Sequence, residues 1–343
     1  MRRAIRAWCV VTALALSVVG PGALVAAGDD GPSRAGQTGR PTRTILRPTE
    51  IADPRVAKQS DKEVIVLVSG IGSDAPDGTF DALIAALDKD PHYEIHRFGG
   101  DPAHPYDTLG SLNANADQLT AQIRELAKTH PTIDIVAHSM GGAVVDAAFQ
   151  RGLSASDKVA TYVALASPHN GSTEAWIGQA FLAASALVGA KTEFRAITAG
   201  VGQDIGSPAA RDLATIHAAP PPPGVTRLEL RAATDWIVTG PDAWTPGVSS
   251  RLLLPTHASP IEGHGAITAD PHGIALITST IATHRPPMSD WRDAALGSAA
   301  AVISLGLGVF APLGYCVALL VGLGCAIELA RIRRRRRIGA RRP

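Results

Sequence analysis

Residues 63–70 read EVIVLVSG, with five consecutive apolar positions closed by serine and glycine. A run so short and so rich in β-branched residues predicts a strand buried on both faces. The period then changes. TFDALIAALDKD (79–90) has helical spacing, and YEIHRF (93–98) returns to a strand. Within 111–129, Leu112, Ala116, Leu119, Ile123 and Leu126 recur every three or four residues. That spacing predicts a helix with one apolar face. TIDIVAH (132–138) is the next strand, MGGAVVDAAFQRG (140–152) the next helix, and KVATYVALAS (158–167) another strand. The alternation pauses over 171–219, an Ala-rich, helix-prone stretch with Trp176, Phe181 and Phe194, ended by four prolines at 220–223. TRLELRAATD (226–235) and SRLLLP (250–255) resume the strands, and DPHGIALITSTIATH (270–284) is a closing helix. Strands alternating with helices predict an α/β domain over 63–284, with a mostly parallel sheet and helices on both faces. The pause predicts a helical cap at about 171–223.

The two ends follow other rules. Residues 2–27 have a basic start, an apolar middle and a small-residue site at Val25-x-Ala27. This is the build of a secretory signal peptide, cleaved or retained as an anchor. Residues 28–62 are largely aperiodic and rich in Gly, Pro, Arg, Thr and Ser, as a flexible linker would be. Residues 294–330 hold one acid and no base, enough for a transmembrane segment of about 20 residues. The length allows one long tilted helix, or a span preceded by an interfacial segment, with Pro312 marking a kink between them. The tail at 331–343 carries eight arginines and reads as cytoplasmic by the positive-inside rule. The expected localisation is the cell membrane, with the body outside the cytoplasm.

This segregation changes the meaning of a formal net charge of +1. Between the two ends, residues 28–293 hold 21 basic residues against 30 acidic ones. An acidic body without a basic stripe excludes a nucleic-acid partner. Cys9, Cys316 and Cys325 all lie in the apolar end segments. The body therefore has no disulfide, no thiolate metal site and no cysteine nucleophile.

The chemistry centres on AHSMGG (137–142), between a buried strand and a helix. A serine on so sharp a turn is held in strained backbone angles, and small neighbours let strand and helix approach. Ser139 is the candidate nucleophile. It needs a base, and the base an orienting acid; where the serine sits on such a strand–turn–helix the chain order is Ser, then Asp or Glu, then His. Asp235 ends the strand beyond the cap, with Asp242 as the alternative. His264, between two glycines in PIEGHGAITADPHG (260–273), is the candidate base, with His257 and His272 as competitors. His138 and His169 read as structural or pocket-lining. Donors for a developing oxyanion are the backbone N–H groups of Met140, after the nucleophile, and of Ile71, in the loop VSGIGS after the first strand.

Taken together, VLVSGIGS, VAHSMGG, LASPHNGS, ATDWIV and EGHGAITADP resemble the α/β-hydrolase superfamily on its lipase and esterase side. The likeness is to bacterial triacylglycerol lipases and the glycosylphosphatidylinositol inositol-deacylase-like group, over about residues 63–284. It implies a nucleophile at Ser139, an acid at Asp235, a base at His264, and oxyanion donors at Ile71 and Met140. Two positions depart from the pattern. Alanine stands at 137 where the motif opens with glycine, and Ser69-Gly70 replaces the common His-Gly pair. The expected activity is hydrolysis of hydrophobic carboxylic esters through an acyl-enzyme, at a membrane, with no cofactor or metal required. An acyltransferase using the same intermediate, or a silent hydrolase-fold surface binding protein, are the alternatives.

Overall fold

The computed structural model describes residues 60–73, 78–200, 204–217, 220–240, 242–255, 263–288 and 291–339. The expected signal peptide, nearly all of the expected linker, and His257 lie outside the described residues. Six strands form one sheet: β1 (Glu63–Val68), β2 (Tyr93–Arg97), β3 (Ile133–His138), β4 (Val159–Leu165), β5 (Thr226–Ala232) and β6 (Ser249–Leu253). Their order is β2-β1-β3-β4-β5-β6, and every pairing is parallel.

Alternation along β1 sorts its side chains into two layers, because successive side chains of a strand point to opposite faces. Val64, Val66 and Val68 pack with helices α2 (Leu112–Leu126) and α3 (Met140–Gln150). Ile65 and Leu67 pack with α1 (Asp81–Leu87) and α8 (Pro271–Thr283) on the other face. The sheet is thus covered on both sides, as its unbroken apolar strands require. The chain runs from β1 outward to β2, then returns to place β3 on the other side of β1. At such a switch point the strand ends diverge and leave a crevice at their carboxyl ends. Gly70 follows β1 there, and Ser139 follows β3.

The segment expected as a cap contains α4 (Thr173–Leu187), α5 (Lys191–Gly200) and α6 (Pro208–Leu213). A third apolar cluster joins Ile177, Leu182, Phe194 and Ile205 of this region to Leu319, Ala326 and Ala330. The latter belong to α9 (Trp291–Gly339), a helix that runs through Pro312. A short helix, α7 (Gly263–Ala266), precedes α8. Within α9, residues Phe310–Arg334 are long and apolar enough to cross a membrane, the one helix of that kind among the described residues.

Candidate active site

Ser139 has φ 57° and ψ −131°. A non-glycine residue in this region costs about 1–3 kcal/mol and persists only where its surroundings hold it. Here they do. The Ser139 N–H donates to the Leu165 carbonyl (2.9 Å), and its own carbonyl accepts from the Gly142 N–H (3.0 Å). The flanking glycines are needed for space. A Cβ on Gly141 would lie 2.3 Å from the Val68 carbonyl oxygen, and one on Gly142 2.2 Å from Ser167 Oγ. This accounts for the glycine pair of AHSMGG: helix α3 starts in direct contact with the ends of β1 and β4.

Three side chains from distant points meet at this turn. The Ser139 hydroxyl donates to His264 Nε2 (2.9 Å), and His264 Nδ1–H donates to Asp235 Oδ2 (2.8 Å). The other carboxylate oxygen of Asp235 accepts from the N–H groups of Ile237 and Val238, both at 2.8 Å. The side chain of Asp235 is 1% exposed, and that of His264 13%. The loops carrying acid and base are themselves in contact, for a Cβ on Gly263 would lie 2.3 Å from Thr234 Oγ1. His138 donates through Nε2 to the His264 carbonyl (2.9 Å), and the two rings pack 4.8 Å apart. Its reading as structural sharpens to a support for the base.

The structure brings Asp235, and not Asp242, to His264. Asp242 instead binds the start of the cap. Its carboxylate accepts from the Thr173 hydroxyl (2.8 Å) and N–H (3.3 Å) in the first turn of α4, and from Thr239 Oγ1 (3.1 Å). Burial pushes the pKa of Asp242 up, against the pull of those hydrogen bonds. His272 is exposed in the first turn of α8.

The Met140 N–H opens α3, where a helix N-terminus favours negative charge. Ile71 lies in the turn after β1, beside Gly70. A Cβ on Gly70 would come within 2.8 Å of Ser139 Cβ, so this loop passes directly over Ser139. Among the described residues, neither the Met140 nor the Ile71 N–H donates to another group of the protein. The loop lacks the histidine of the common pair, and two residues unnoticed in the sequence hold it instead. The half-buried Tyr106 donates its hydroxyl proton to the Ser69 carbonyl (2.8 Å), and Thr108 Oγ1 accepts from the Gly72 N–H (3.1 Å). Burial raises the Tyr106 pKa far above its usual range, which keeps it a donor. Nothing in the stretch GGDPAHPYDT marks these two residues in advance.

Residues 64–209 match a family model described as palmitoyl protein thioesterase. No curated protein matches the chain. Among solved structures, a Bacillus licheniformis lipase in its mature form is 15% identical, aligned over 68% of this chain and 96% of its own, with a TM-score of 0.46. Lipase B of Aspergillus fumigatus is also 15% identical, over 78% of this chain and 63% of its own, with a TM-score of 0.43. A type II thioesterase from the borrelidin biosynthetic cluster is 20% identical, over 66% of this chain and 92% of its own, with a TM-score of 0.40. The parallel sheet, its switch point and the strained serine turn give this chain an α/β-hydrolase fold, and its residues 64–209 are similar to the palmitoyl protein thioesterase family.

Proposed function

We propose that the protein is a serine hydrolase of hydrophobic acyl esters or thioesters, held at a membrane by its C-terminal helix. The observation that carries this reading is the continuous relay Asp235–His264–Ser139 at the strained turn. In this reading the Ser139 hydroxyl attacks the acyl carbonyl as His264 Nε2 takes its proton. Asp235 keeps the imidazole in the tautomer whose Nε2 is free to accept, and stabilises the imidazolium that forms. Negative charge on the carbonyl oxygen falls to the Met140 and Ile71 N–H groups, donors of the kind that lower such barriers most. The imidazolium returns its proton to the leaving alcohol or thiol. Water, deprotonated by His264, then releases the acid from the acyl-enzyme.

The family match supports widening the substrate class from oxygen esters to thioesters. The apolar helix at Phe310–Arg334 supports a hydrophobic, membrane-borne substrate. The expected arrangement remains a signal peptide at 1–27, a linker at 28–62, a catalytic domain at 63–284 outside the cytoplasm, and an arginine tail inside. A fluorophosphonate probe traps an activated serine, so the full-length protein should be labelled and Ser139→Ala should not. Labelling that survives this substitution would sink the reading. Turnover of p-nitrophenyl esters and acyl thioesters of graded chain length then ranks the two substrate classes.

A further inference from the structure

Beneath the serine turn lies a group of charged side chains that the relay does not use. Asp146 is on α3, His169 in the loop from β4 to α4, and Arg227 and Glu229 on β5; each side chain is 1% exposed. His169 Nδ1 lies 2.5 Å from Asp146 Oδ2 and 2.8 Å from Arg227 Nη2, while Nε2 faces Glu229 Oε1 at 3.7 Å. Arg227 reaches Asp146 Oδ1 through Nη1 (3.1 Å) and Glu229 Oε1 through Nη2 (2.9 Å). Glu229 Oε2 accepts from the Thr245 N–H (3.0 Å). The Arg227 guanidinium also stacks over the Tyr162 ring, 5.1 Å from its centroid, and the Tyr162 hydroxyl donates to the Gly142 carbonyl (3.1 Å).

Stability alone does not explain such a group, because desolvating buried ions offsets most of what their pairing contributes. Its placement suggests another role. Asp146 is seven residues beyond Ser139, two turns along the helix that opens with the Met140 N–H. Gly142, held by Tyr162, belongs to the first turn of that helix. Arg227 and Glu229 lie on the strand that ends at Asp235. Thr245 belongs to the loop whose Asp242 holds the cap. The group therefore joins the nucleophile helix, the acid-bearing strand and the loop that holds the cap.

We propose that the Asp146–His169–Arg227–Glu229 network, extended by Tyr162, is a positioning device that fixes the nucleophile helix α3 against the acid-bearing strand β5. The inference rests on the serine-hydrolase reading above. None of its members touches the reacting atoms. Their effect is on the alignment of Ser139 Oγ with His264, where a displacement of about 1 Å can cost on the order of 10²-fold in rate.

The test uses full-length protein in detergent micelles, with p-nitrophenyl butyrate and the fluorophosphonate probe. Tyr162→Phe removes one hydroxyl and leaves the ring under Arg227. It should lower kcat by ~10-fold while KM stays within about twofold. His169→Asn places a polar amide where Nδ1 stands, within reach of Asp146 and Arg227, and His169→Gln places one nearer Nε2. The Asn variant should therefore keep more kcat than the Gln variant, at temperatures where circular dichroism shows both folded. Rates equal to wild type in folded Tyr162→Phe and His169→Gln would overturn the proposal, as would losses that merely follow the thermal midpoint. If the His169 variants do not fold, Tyr162→Phe decides alone. Wild-type protein that the probe fails to label would remove the hydrolase reading itself, a result distinct from a labelled wild type with indifferent variants.

Discussion

At the scale of single residues, two aspartates seven positions apart have been given different tasks, and substitution should separate them. In the proposed relay Asp235 orients the base, so Asp235→Asn should lower kcat by on the order of 10³–10⁴ and leave the thermal midpoint nearly unchanged. Asp242 accepts hydrogen bonds from the cap. Asp242→Asn should lower the midpoint while kcat of the folded protein stays within about tenfold, because an amide keeps one acceptor. The opposite ranking, read from Michaelis–Menten kinetics and thermal melts, would exchange their roles. The glycines divide as sharply. Gly141→Ala drives a Cβ into backbone carbonyls of the β1 end at 2.3 and 2.6 Å, and nothing there can swing aside. It should abolish probe labelling. Gly200→Ala, at the end of α5 in open space, should leave labelling intact.

Among the secondary-structure elements, the cap helix α4 carries an unusual group in its first turn. Both carboxyl oxygens of Glu174 are buried without a hydrogen-bond partner among the described residues. Burial first, then the nearby Asp242 and Asp235 carboxylates, push its pKa up from 4.5 to about 8. An acid whose folded pKa is raised binds its proton more tightly in the folded state. Its contribution favours folding below about pH 4.5 and is lost as pH rises through about 8. Glu174→Gln stays neutral, so its melting temperature should fall less than that of wild type between pH 5 and 9. Parallel slopes in the two pH series would show that Glu174 is solvated and ordinary. The elements themselves were largely legible. The buried strands, the helix of 112–126 and the serine turn announce themselves by period and by turn chemistry. Strand β5 was legible as a strand but misleading in its surroundings. Arg227, Glu229 and Arg231 alternate along RLELR as they would on a solvated face, yet Arg227 and Glu229 are buried between α3 and the loops of the site. Their partners, Asp146 and His169, lie 58 or more residues away and each looks unremarkable alone. Pairing over such a distance leaves no periodic trace in a sequence. The choice between Asp235 and Asp242 was open for the same reason, since both occupy one loop and only the fold decides which one faces His264.

For the molecule as a whole, the unsettled balance is where α9 belongs. Along the cap it packs from Tyr315, whose hydroxyl lies beside Gly178, to Arg333, which donates to Glu193 in the first turn of α5 (2.8 Å). Those nineteen residues span about 27 Å of helix, close to the roughly 30 Å hydrocarbon core of a bilayer. A helix crossing that core with the α/β domain on one side carries Arg333 to the far headgroups. Glu193 could follow only if α5, with Lys191 and Arg195 beside it, entered the hydrocarbon at a cost of several kcal/mol. Docking on the cap and crossing the membrane are therefore alternatives. Apolar burial chooses between them. Docked, the helix leaves Phe310, Leu313, Val317 and Leu320 more than half exposed, whereas a bilayer covers its whole circumference. In membranes the crossing should win. Protease added to intact cells should remove the catalytic domain and leave a tag placed after Pro343 protected. In a chain with Cys9, Cys316 and Cys325 replaced by serine, Glu193→Cys with Arg333→Cys should then give no disulfide in cells, while the same chain purified without lipid should form one under mild oxidation. A disulfide formed in intact cells, together with a tag that protease digests, would mean that α9 stays docked and that the arginine tail lies on the same side as the active site.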